Sequence, residues 1–77
     1  MTEKEKYYRN VVTQFQEDYG ASEKELLEVF RLKENGDKDA LKRLCDKLKQ
    51  PNLEHGYVHF AVAYRQYLRS IGKLTSN

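Results

Sequence analysis

The sequence predicts an all-α protein, a compact bundle of four helices with a long first and last helix and two short ones between them. Three observations predict it. Apolar residues recur at three- and four-residue spacing in four stretches, each stretch opens after a residue able to cap a helix, and each closes at Gly or Pro. No run alternates with the period of two that a half-buried strand requires.

Thr2 and Glu5 have the spacing of a capping box, in which each side chain satisfies a backbone amide left open at a helix start. From there Tyr7, Tyr8, Val11, Val12, Phe15 and Tyr19 form a stripe about 140° wide at 100° per residue, and Gly20 ends the helix by adopting the left-handed conformation. Ser22 and Glu25 repeat the box, with Ala21 and Leu26 placed as a hydrophobic staple across that entry. Leu26, Leu27, Val29 and Phe30 are the expected buried stripe of this second helix, and Asn35-Gly36 the stop.

Asp37 is the expected cap of the third helix, whose face Ala40, Leu41, Leu44, Cys45, Leu48 persists until Pro51 forbids continuation. Asn52 is placed to cap the last helix, with its start between Leu53 and Tyr57, because Gly56 costs up to about 1 kcal/mol against Ala inside a helix. Tyr57, Phe60, Ala61, Tyr64, Leu68 and Ile71 then line one face, with Tyr67 at its margin, before Gly72 stops the helix and Lys73 to Asn77 trail off. Connections of two to four residues favour neighbouring helices that pack on each other.

A chain of 77 residues holds one core, so residues 1–77 read as a single helical domain. Nine aromatics and 39% hydrophobic residues set it apart from a disordered tail. No apolar run approaches the roughly 20 residues that cross a bilayer, and the polar start does not fit a secretory signal, so the expected location is cytoplasmic with no membrane partner. Cys45 is the only cysteine, which rules out a disulfide within the chain.

Catalytic machinery is not legible. A nucleophile elbow is missing, and Gly20, Gly36, Gly56 and Gly72 stand alone near helix ends rather than in a phosphate-cradling loop. His55 and His59 are four apart, as two metal ligands on a helix would be, but Gly56 stands where the zinc-protease pattern needs Glu, and only Cys45 or Glu54 could serve as a third ligand. Solvent-facing histidines, no metal, no cofactor and no small-molecule substrate are therefore expected.

Net charge is +2, but residues 1–36 carry a net −2 and residues 37–77 a net +4. The first two stretches fit the frame of a helix-turn-helix, yet Glu23, Glu25 and Glu28 would open the recognition helix against phosphate, which favours a hairpin without DNA contact. Lys38, Lys42, Arg43, Lys47 and Lys49 resemble a basic strip, much of it matched locally by Asp39 and Asp46. Tyr64-Arg65-Gln66-Tyr67-Leu68-Arg69 resembles the closing helix of the core-binding domain of tyrosine recombinases, over less than a third of the chain; that domain holds none of the family's catalytic residues, so the resemblance implies no chemistry here.

The feature that asks for an explanation is a second stripe on the last helix. Val58, Val62, Arg65 and Arg69 follow at i, i+4, i+7 and i+11 on the side away from the core arc, apolar first and basic after. Either other helices cover both sides of this helix, or the stripe meets a partner. The expected function is a non-enzymatic interaction module, an adaptor or regulator that docks Val58, Val62, Arg65 and Arg69 on a protein partner or as a homodimer. The rival is a nucleic-acid binder contacting phosphates through Lys42, Arg43, Lys47, Arg65, Arg69 and Lys73.

Overall fold

The computed structural model describes residues 2–73; side-chain caps open its first two helices, whereas Asp39 and the expected cap Asn52 precede the third and fourth without a side-chain capping bond among the described residues. Helix α1 runs Glu3–Tyr19, α2 Glu23–Glu34, α3 Ala40–Leu48 and α4 Leu53–Ser70. Thr2 Oγ1 accepts the Glu5 amide at 3.1 Å, so α1 has the first half of its capping box. The Ser22 box is complete: Ser22 Oγ accepts the Glu25 amide at 3.2 Å and Glu25 Oε1 accepts the Ser22 amide at 3.1 Å. That amide, followed by the Lys47 ammonium, holds the Glu25 carboxyl below the usual carboxylate range. The staple residues Ala21 and Leu26 are both buried.

The third start differs from expectation. Asp39, not Asp37, is the N-cap of α3, and its side chain makes no capping bond among the described residues. Asp37 works one turn earlier: its carboxylate accepts the Asp39 amide at 3.1 Å and pairs with the Arg43 guanidinium. The connection is therefore five residues long, because a tight turn over Lys38 and Asp39 precedes the helix. At the far end Lys49 takes φ 57°, the left-handed position usually given to glycine.

Helix α4 begins at Leu53, the earliest of the expected starts, and runs through Gly56 without a break. Packing accounts for that glycine. A Cβ at residue 56 would lie 2.8 Å from Tyr19 Oη and 3.4 Å from the ring, so the missing side chain lets the end of α1 rest against the start of α4. Ala63, seven residues on and thus on the same side of the helix, is fully buried, which the sequence reading did not anticipate. Gly56→Ala is expected to gain less than the full helix-propensity benefit of ~1 kcal/mol in the wild-type chain and all of it in a Tyr19→Ala background. Urea unfolding of the four chains checks this, and equal gains in both backgrounds would refute the contact.

Helices α1 and α4 pack antiparallel, as three pairings along them show. Lys4 Nζ donates to Gln66 Oε1 at 3.4 Å, the Tyr8 ring stacks on Tyr67 at 5.0 Å, and Phe15 meets Phe60 at 6.1 Å. Helix α2 packs on α3, and α3 on α4, around Leu26, Leu44 and Leu53. Tyr8 ties the two halves together, since its buried hydroxyl donates to Glu23 Oε2 of α2 at 2.7 Å.

Several expected core residues lie elsewhere. Tyr7 and Tyr8 are about 100° apart on the helix, so only one can face α4; Tyr8 does, and Tyr7 is exposed. Ile71 follows the last helical residue and is exposed as well. Leu27 and Phe30 are half-buried because, with Tyr64 and Leu68, they line an open groove between α2 and α4.

Candidate functional site

The outer face of α4 is built by the same periodicity that builds the core. Leu53, Tyr57, Phe60, Ala61 and Ala63 turn inward and are buried, which leaves Val58 and Val62 outward. Val58 is 60% exposed and Val62 44%, so among the described residues no other helix seals either. They are neighbours one turn apart, forming a continuous apolar step rather than two scattered residues.

Beside the valines lies a groove of about 550 Å³ between the end of α2, the start of α3 and α4. Leu41, Tyr57, Ala61, Val58 and Val62 give it apolar walls, and Lys33, Glu34, Glu54 and Arg65 a charged rim. The Lys33 ammonium lies 5.8 Å from the Tyr57 ring centre. Nothing in the periodicity of α4 signals Leu41 or Lys33, because they reach this place through the packing of α3 and α2.

Arg65 and Arg69 are both on the outer side, but only one is unengaged. Arg65 Nη2 donates to Glu34 Oε1 at 2.8 Å, and its guanidinium lies 5.1 Å from the Phe30 ring centre, so it straps α4 to α2. Arg69 is exposed and has no carboxylate within ion-pair distance among the described residues. Glu54, which the sequence reading had considered only as a metal ligand, lies on this same face and is likewise exposed and unpaired among the described residues.

The basic set is divided by its own acids. Arg43 is paired with Asp37, Lys47 with Glu25 at 2.9 Å, and Arg65 with Glu34. Lys42, Arg69 and Lys73 are exposed and have no such partner among the described residues. The acids that counted against a recognition helix have tasks of their own: Glu23 accepts from Tyr8 and Arg9, and Glu25 from Ser22 and Lys47.

His55 and His59 are exposed and flank the valines, and among the described residues no three metal-ligating side chains gather. Burial pushes the Cys45 thiol up from its usual range, with Glu54 and Asp46 adding to the effect, which keeps thiolate scarce at neutral pH. No helix among the described residues is long and apolar enough to cross a membrane.

The described residues form an all-α bundle of four helices with an uncovered apolar step on the last of them. Compared with family models, curated proteins and solved structures, the chain finds no match.

Proposed function

We propose that this chain is a non-enzymatic helical interaction module, an adaptor or regulator that docks on protein through the Val58, Val62, Arg65, Arg69 face of α4. The observation that carries the reading is the exposure of two adjacent valines on a helix whose opposite side already fills the core. Water gains nothing from such a step, whereas a partner that covers it removes apolar area worth about 25 cal/mol per Å². Arg65, already oriented by Glu34 and Phe30, would meet that partner with little loss of side-chain freedom.

The phosphate-binding reading has less support. Of Lys42, Arg43, Lys47, Arg65, Arg69 and Lys73, three are held by carboxylates that would be displaced at a cost on contact with a nucleic acid.

The test is Val62→Glu, with Thr13→Glu on the exposed side of α1 as control. Each would be used as bait in extracts of the native host. A partner that buries Val62 should be lost by Val62→Glu, with affinity reduced about 30-fold or more, and kept by Thr13→Glu. Identical capture by both baits would overturn the reading. Binding to duplex or single-stranded nucleic acid that weakens by decades over a modest salt range would support the rival instead.

A further inference from the structure

We infer that the occupant of the α4 face is a second copy of this chain, its α4 running antiparallel to the first; the inference rests on the docking reading above and adds the partner. Five exposed positions share one strip of the helix: Glu54, Val58, Val62, Arg65 and Arg69. At 100° per residue they fall within an arc of about 80°, and the strip is roughly 22 Å long. Its charge is ordered, with acid at the beginning, valine in the middle and arginine at the end.

Such an order is self-complementary under a two-fold axis. A twofold contact presents the same patch from both chains, so residue i opposite j also puts j opposite i. With the axis crossing α4 between Ala61 and Val62, Glu54 of one copy comes level with Arg69 of the other, at both ends of the contact. Both Val62 side chains then meet at the centre, and each Val58 lies level with the Arg65 of the other copy, whose aliphatic stem can cover it. A parallel arrangement would instead set Glu54 against Glu54 and Arg69 against Arg69, which like-charge repulsion disfavours.

Glu54 and Arg69 are the two charges of the strip that have no ion-pair partner among the described residues, while Arg65 between them is held by Glu34. The charges at the strip's ends are thus the ones left over, in positions where a reversed copy would satisfy both. The groove bounded by Leu41 and Tyr57 opens beside the valines and gives the opposing helix room to approach.

The experiment is sedimentation equilibrium of wild type, Glu54→Arg, Arg69→Glu and an equimolar mixture of the two variants. The wild-type chain should self-associate. Each variant alone faces like charges at both ends of the contact and should associate about tenfold more weakly or worse. In the mixture one chain offers Arg at both ends and the other Glu at both ends, so mixed dimers should form with an affinity within about threefold of wild type. Loss of helix stability in either variant could not produce that recovery.

A wild-type chain that stays monomeric to about 1 mM would overturn the inference, as would variants that associate like wild type or a mixture no better than its parts. The first of these results leaves the docking face itself to the Val62→Glu capture comparison, which fails or succeeds independently of self-association.

Discussion

Phe60→Ala is expected to lower the free energy of unfolding by roughly 3–5 kcal/mol, enough to leave the chain largely unfolded at room temperature. Phe60 has no exposed surface, and its ring lies among the aromatic rings of α1 and α4. It lies 5.9 Å from Tyr8 and 6.1 Å from Phe15 of α1, 5.9 Å from Tyr57 and 5.8 Å from Tyr64 of α4, measured between ring centres. Truncation removes the transfer free energy of the ring and leaves a hole between stiff aromatic neighbours that cannot collapse into it. A domain of this size has few kilocalories to lose. Urea unfolding followed by far-ultraviolet ellipticity measures the effect, with Val58→Ala as the contrasting variant, expected within about 0.5 kcal/mol of wild type. A shift under about 1 kcal/mol for Phe60→Ala would mean that the ring is not packed as described.

Alkaline pH should unfold the chain cooperatively. Burial pushes the Tyr57 hydroxyl up to about 12 from its ordinary 10.0. It pushes Tyr8 further still, where the hydrogen bond to Glu23 and that residue's negative charge add to the effect. Both groups keep in the folded chain a proton that the unfolded chain releases. Their contribution to stability is complete below pH 10 and is lost as pH rises toward the folded values. Each tyrosine contributes a slope of about 1.4 kcal/mol per pH unit, so the two together remove about 3 kcal/mol per unit once pH exceeds 10.

Two units of that slope exceed what a domain of this length has in reserve, and helix should be lost between about pH 11 and pH 12. Tyr57→Phe should remove about half of the slope. The measurement is urea stability against pH for wild type and Tyr57→Phe, with phenolate absorbance recorded alongside. Parallel pH dependence in the two chains would show that Tyr57 ionises without unfolding.

Local order was readable from the residues. Thr2 and Ser22 cap because a short oxygen side chain followed three residues later by Glu is a local arrangement that needs nothing from the rest of the chain. Gly20, and Gly72 after the last helix, take positive φ for an equally local reason. The third helix shows the limit of that approach: Asp39 takes the N-cap position without a side-chain bond, while Asp37 accepts the Asp39 amide and pairs with Arg43.

The candidate face was legible in part. Spacing alone placed Val58, Val62, Arg65 and Arg69 on one side of α4, and the valines are uncovered there. Glu54 belongs to the same strip, but by sequence it stands out only as a conceivable metal ligand beside His55 and His59. The engagement of Arg65 by Glu34 and Phe30 was beyond reach, because those residues precede it by 31 and 35 positions and come from another helix.

What the amino-acid order determined by itself is the number and approximate extent of the helices and most of each inward face, since hydrophobic period, caps and stops act over a few residues. Tertiary packing decided the remainder: that Tyr8 rather than Tyr7 is buried, that Tyr19 lies where Gly56 has no side chain, and that no helix among the described residues covers Val58 and Val62. The reason is geometric. A helix exposes several sides, and which of them stays open depends on where three other helices end, information held in contacts between residues far apart in the chain.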